Sequence, residues 1–155
     1  MRKMILTVVM SLAFGVLNAA TPTDNDVTAL VDQTAADIAA NAPDTFMKIF
    51  KASEPYINKE NPELMAYVLT SEGKIEVHPK VGPTGQLVKN MEDSKGKKYY
   101  EEVLKKAEKL DATGWETYTV MKPDGTTFER KVYYKVVNGS NNKKYIVCSE
   151  KNVEK

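Results

Sequence analysis

The chain has 155 residues, with 22 Lys and Arg against 21 Asp and Glu and a formal net charge of +1. A balance this near zero, with the signs interspersed, gives no electrostatic footprint for nucleic acid. The length suits one ordinary domain, and a single cysteine, Cys148, excludes an internal disulfide framework.

The first elements in chain order read as an address. Arg2 and Lys3 precede an apolar run from Met4 to Leu17, broken only by Thr7, Ser11 and Gly15, and Asn18-Ala19-Ala20 follows. This run of about 14 residues is short of the roughly 20 needed to cross a bilayer. A basic n-region, a short h-region and small residues predict an export signal over residues 1–20, and so a periplasmic or secreted product. Losing residues 1–20 takes away two basic residues and no acidic one, leaving 20 basic against 21 acidic and a net charge of −1. The core must then stabilise an exported fold without a disulfide. Cys148, inside the apolar run Tyr145-Ile146-Val147-Cys148, reads as a buried, inert thiol.

Val27, Leu30, Val31, Thr34 and Ile38 recur at helical spacing and predict a helix over 24–41. Asp24 and Asp26 stand where the helix dipole favours acids. Asn41-Ala42-Pro43 ends this helix, and a second piece starts at Asp44 with Phe46, Ile49 and Phe50 inward. The period then changes. Leu64–Thr70 is an apolar strand, Ser71-Glu72-Gly73-Lys74 a turn, and Ile75-Glu76-Val77-His78 an alternating strand closed by Pro79. Residues 79–96 are loop-like, and a long loop in a compact domain is often functional.

Tyr99–Leu110 reads as an amphipathic helix with Tyr100, Val103, Leu104, Ala107 and Leu110 inward. Three strands follow: Trp115–Met121, Phe128–Val137 and Lys143–Ser149, joined by Pro123-Asp124-Gly125 and by Asn138-Gly139-Ser140-Asn141-Asn142. Both connections suit antiparallel hairpins. Residues 150–155 read as a frayed tail. Helices and antiparallel strands segregate, which predicts an α+β fold: one five-stranded sheet with the N-terminal helices on one face.

Candidate chemistry concentrates in the paired strands Trp115-Glu116-Thr117-Tyr118 and Lys131-Val132-Tyr133-Tyr134. Aromatic walls with one fixed cation suit a small organic anion, since an unpaired buried anion is costly. Lys131 supplies the charge; a solvated strand lysine is the competing reading. In a regular strand Lys131 shares a face with Tyr133, whereas a bulge would align it with Tyr134. Trp115 and Tyr118 fall on opposite faces, and Tyr67 shares the same ambiguity between core and pocket. His78, the only histidine, cannot make a metal site by itself. It reads as structural or as a pocket edge, and with no nucleophile–base pair or metal cluster the chain reads as non-enzymatic.

The same residues carry a family resemblance. Tyr67-Val68-Leu69 through Gly73 to His78-Pro79 resembles the aromatic strand, glycine turn and His-Pro of the single Cache domain, the extracytoplasmic PAS-like sensor of chemoreceptors and kinases. Gly85 with Asp93-Ser94-Lys95-Gly96-Lys97 is similar to its G…D-x-x-G-K loop. Gly114-Trp115 with Tyr118 is similar to its G-W/F-x-x-Y strand, and Lys131–Tyr134 to its K-x-x-Y strand. Tyr145-Ile146-Val147 stands where W-x-I-G-x-G is usual, with Cys148 and Glu150 at the common glycine positions.

The resemblance spans Asp24 to Ser149. It implies a PAS-like sheet with long N-terminal helices, and a pocket between the sheet and residues 79–110. It also implies a small carboxylate ligand of the acetate, pyruvate or lactate class, with no cofactor. The domain plan is then a signal at 1–20, one Cache domain at 21–150 and a tail at 151–155. The implied ligand-binding set is Tyr67, His78, Trp115, Tyr118, Lys131, Tyr133 and Tyr134, and the implied partner a membrane receptor or kinase. The competing function is a periplasmic interaction protein that kept the fold without a ligand pocket.

Overall fold

The computed structural model describes residues 20–154. The expected export signal lies outside the described residues apart from Ala20. One long helix, α1 (Asp24–Phe50), leads into β1 (Ala66–Thr70) and β2 (Ile75–Val77), then α2 (Tyr99–Lys106), β3 (Thr113–Met121), β4 (Thr127–Asn138) and β5 (Lys144–Asn152). The strands form one antiparallel sheet in the order β2-β1-β5-β4-β3. The fold is α+β, with the N-terminal helix on one sheet face. Among the described residues no helix is long and apolar enough to cross a membrane.

α1 starts where Thr23 caps it. The Thr23 hydroxyl accepts from the Asp26 amide at 3.2 Å, and Asp26 accepts the Thr23 amide at 2.8 Å, closing a reciprocal box. The expected break at Asn41-Ala42-Pro43 is a kink within α1: Asn41 leaves helical geometry and Pro43 sits just beyond it. Asn41 Oδ1 then accepts the Asp44 amide at 3.3 Å, acting as the cap of the second segment. The Ser140 hydroxyl accepts the Ala42 amide at 2.9 Å, and the Ser140 amide donates to the Ile38 carbonyl at 3.1 Å. The 139–142 turn thus satisfies backbone groups that the kink frees.

Each sheet face is covered by a different element. On one face α1 buries Val31, Ala35, Ile38, Ala42 and Ile49 against Val68, Val77, Val147, Tyr145 and Val137. On the other, α2 and the preceding loop cover Tyr67, Leu69, Tyr118, Val132, Tyr134, Val136, Ile146 and Cys148. Cys148 is fully buried, and burial pushes its thiol well above the ordinary range.

Three sequence expectations need correction. Glu150–Asn152 is strand and not tail: β5 continues to Asn152, paired with Arg130, and Lys151 is buried. α2 stops at Lys106, so Leu110 lies outside it and is 49 % exposed. Phe50, at the last residue of α1, is 61 % exposed while Ile49 takes the inward position.

The 79–98 segment is tied to both edges of the sheet. At one end it runs beside β2: the Ile75 amide donates to the Gln86 carbonyl, the Gly85 amide to the Ile75 carbonyl and the Val88 amide to the Gly73 carbonyl, each at 2.8 Å. At the other it is pinned to β3, where Asp93 accepts the Thr119 amide at 2.8 Å and the Ser94 amide donates to the Thr119 carbonyl at 3.0 Å. Since β2 and β3 are the two edge strands, the segment spans the sheet as a roof.

Candidate functional site

Under that roof lies a cavity of about 270 Å³. Its floor comes from the sheet, through Tyr67, Arg130 and Glu150. Its roof comes from His78, Lys80, Gln86 and Val88, and its side from Tyr99 and Tyr100 of α2. Strand alternation explains the floor. On β4, Arg130 shares a face with the buried Val132, Tyr134 and Val136; on β5, Glu150 shares one with Ile146 and Cys148. Val132 pairs directly with Glu150, so Arg130 is its diagonal neighbour.

Glu150 is the polar centre of this floor. Tyr67 donates to its Oε1 at 2.5 Å and Tyr100 at 3.1 Å, while Tyr118 donates to Oε2 at 2.6 Å. The Tyr67 and Tyr100 hydroxyls are also 2.9 Å apart. Arg130 Nη2 lies 3.7 Å from Oε2. Two of the phenol contacts fall in the short range expected for a hydroxyl donating to a carboxylate. Burial, followed by the Glu150 charge, raises all three phenols well above their ordinary pKa. They are therefore protonated donors at physiological pH. Burial works against the Arg130 charge, but the neighbouring Glu150 offsets it and Arg130 stays cationic. Tyr99 braces Tyr118 by stacking at 4.1 Å with ring planes 8° apart.

The residues singled out from sequence are divided between the faces. Tyr67 and His78 line the cavity, their rings 5.3 Å apart. The His78 Nδ1 accepts the Lys80 amide at 2.9 Å, and burial lowers its pKa. Tyr118 does not line the cavity itself, but its hydroxyl donates to Glu150 on the cavity floor. Lys131, Trp115 and Tyr133 lie on the opposite face, under α1. The pairing of β4 with β3 and β5 is unbroken, with no bulge to rotate Lys131. Its ammonium lies 4.4 Å over the Trp115 ring and 2.7 Å from Asp24. Lys151, directly opposite Lys131 on β5, meets the same Asp24 at 3.0 Å. The lysine that sequence suggested as an anion anchor is instead a fastener for the start of α1. Tyr133 packs on Trp115 at 5.0 Å. Tyr134 is on the cavity side of the sheet but outside the cavity, buried with its ring against Gly114.

Four residues of the site escaped the sequence reading: Tyr99, Tyr100, Arg130 and Glu150. The signal for two of them is present in the sequence. Arg130 and Glu150 are opposite charges standing in phase with buried apolar residues on neighbouring strands.

A buried carboxylate away from the cavity is structural. Glu116 on β3 takes Lys106 of α2 at 2.5 Å and Lys97 of the roof at 2.5 Å. Burial opposes its charge, but the two ammonium groups outweigh it and hold Glu116 below the ordinary 4.5. A carboxylate with a depressed folded pKa adds stability that is present above the unfolded value and lost as pH falls through the folded one. Glu116→Gln should therefore be less stable than wild type at pH 7, with the gap closing as pH drops from about 5 to 3. Thermal melts across that window check this; a gap that stays constant with pH would remove the charge from the explanation.

Residues 58–142 match the model of the family Single Cache domain 2. The chain belongs to the single Cache domain family. This Cache domain has no match among curated proteins. It is similar in structure to a methyl-accepting chemotaxis protein from Vibrio parahaemolyticus, at TM-score 0.56 and 13% identity, covering 83% of this chain and 86% of that one. It is also similar to the periplasmic sensor domain of a chemotaxis protein, at TM-score 0.56 and 18% identity, covering 82% and 88%. Cache domains are extracytoplasmic sensor modules, and this chain is one by family.

Proposed function

We propose that this Cache domain senses a small organic acid of the acetate, pyruvate or lactate class in the periplasm and passes its state to a membrane receptor or kinase. The observation that carries the reading is the convergence of three phenol hydroxyls and one guanidinium on the Glu150 carboxylate at the cavity floor, with Tyr67, Tyr100 and Arg130 lining the cavity and Tyr118 reaching the same carboxylate from outside that lining. That is a donor set for a carboxylate, and a carboxylate, that of Glu150, lies on it. Arg130 takes the part that sequence suggested for Lys131. Tyr67 and Tyr118 keep theirs and are joined by Tyr100, while His78 stands at the rim. A ligand under the roof touches elements bonded to both sheet edges, and the sheet's far side carries α1, so occupancy has a mechanical route to the helix.

Size limits affinity. Acetate is bounded near 1.5 kcal/mol per heavy atom, or about 6 kcal/mol, which corresponds to roughly tens of micromolar at best. The test is a thermal-shift series with sodium acetate, pyruvate and lactate at about 20 mM against sodium chloride. At roughly twenty times Kd a ligand stabilises by about 1.8 kcal/mol, a midpoint rise of a few degrees for a domain of this size. Arg130→Gln should abolish the rise. The competing reading is an interaction protein without a ligand. It is favoured by one observation, that Glu150 already engages the donors. A wild-type melting point indifferent to every acid would favour that reading.

A further inference from the structure

Glu150 stands in this cavity as a ligand would. Both its oxygens are held, Oε1 by Tyr67 and Tyr100 and Oε2 by Tyr118, with Arg130 at 3.7 Å. The Arg130 side chain is not saturated by this arrangement: its buried Nε has no hydrogen-bond partner. The phenols come from three separate elements, β1, β3 and α2, which the chain brings together only when folded. On the face of β5 that carries Glu150, the buried positions, Ile146 and Cys148, are apolar. The Glu150 side chain is 17 % exposed and two residues from the end of its strand, so it has a path out to solvent.

We propose that the Tyr67, Tyr100 and Tyr118 hydroxyls together with Arg130 are a carboxylate-binding site, that Glu150 is its built-in occupant, and that a free acid binds by displacing the Glu150 side chain. The proposal rests on the sensing role above and adds how that site is regulated. The exchange conserves chemistry: every donor that loses a Glu150 oxygen regains a ligand oxygen, and the released glutamate is hydrated at the cavity mouth. The tether makes Glu150 a competitor at an effective concentration in the millimolar range or above. It raises the acid concentration needed for occupancy and rejects weak or badly shaped acids. Selectivity follows from the rest of the cavity. A ligand must gain from His78, Lys80 and Val88 of the roof what Glu150 gains from its tether.

Removing the competitor tests this directly. Glu150→Ala deletes Cγ, Cδ and both oxygens, which is the heavy-atom skeleton of acetate. Acetate should therefore fit the vacated space. We expect acetate, titrated calorimetrically, to bind Glu150→Ala at least about tenfold more tightly than wild type. Formate should bind it more weakly than acetate, and chloride not at all. The double variant Glu150→Ala/Arg130→Gln should lose the gain. Should Glu150→Ala fold poorly, Glu150→Gln keeps the volume and one acceptor oxygen but removes the charge, and it should lie between the two.

The outcomes separate the two levels of the argument. Tight binding by the variant with weak binding by wild type supports both. Binding by the variant alone supports the site and overturns sensing of these acids by the wild-type chain. Equal affinity in the variants and wild type overturns the displacement, because the acid then sits elsewhere, and leaves the sensing role standing. No binding by wild type, Glu150→Ala or Glu150→Gln overturns both.

Discussion

Leu69→Ala should destabilise the domain by about 2–5 kcal/mol, a large part of the total of roughly 5–15 kcal/mol expected for one domain. Leu69 is fully buried on β1, the second strand of the sheet, paired with Ile146 of β5 and Ile75 of β2. It packs in the cluster beneath α2 and the roof, so truncation leaves a void beside the cavity floor. In urea the midpoint should fall while the slope stays unchanged, because the surface exposed on unfolding is the same. Leu110→Ala is the matched control. Its side chain is 49 % exposed past the end of α2, and the change should stay within about 0.5 kcal/mol. Equal losses at the two positions would mean that the core is drawn in the wrong place.

Gly73→Ala should cost about 2–4 kcal/mol, combining overpacking with a left-handed backbone. Gly73 has φ +84°, and an added Cβ would lie 2.8 Å from Leu104 Cδ1 and 2.9 Å from Lys89 Cβ. The leucine tip can rotate away, but the lysine Cβ moves only with its backbone. That backbone belongs to the roof, held here through the Val88 amide on the Gly73 carbonyl. Urea unfolding gives the magnitude, and faster exchange of the Val88 amide would locate the disturbance. Gly82→Ala separates the two causes: Gly82 has φ +110° with open space around it, so only the backbone strain remains. Similar losses at both glycines would remove crowding from the account.

Most of the fold was legible in the sequence because local periodicity carries it. The 3.6-residue pattern of Val27, Leu30, Val31 and Ile38 marks a helix whatever it packs on, and alternation marks the strands. The kink at Asn41 and Pro43 is chemical, a lost donor and a capping side chain, and is readable without neighbours. The ends of elements were less legible. β5 runs on through Glu150-Lys151-Asn152, a polar end with no apolar alternation to mark it as strand. Those residues hold their strand positions by ladder bonds to β4 and by ion pairs that no local rule announces. The central carboxylate of the site, Glu150, stands in that polar end.

Alternation puts Lys131 and Tyr133 on one face of a regular β4 and Arg130, Val132 and Tyr134 on the other, and the unbroken ladders to β3 and β5 exclude the bulge that would have changed this. Alternation is a property of the strand alone. Which face would look into a cavity was decided only by the tertiary structure. α1 lies across the first, where Asp24 pairs with both Lys131 and Lys151. The roof, tied to both edge strands, encloses the second and leaves Arg130 beside Glu150 and the three phenols. The physical reason is that a charge is placed by its compensation. A lysine with a carboxylate in reach can fasten a helix, whereas an arginine under a roof needs an acid, its own or a ligand's.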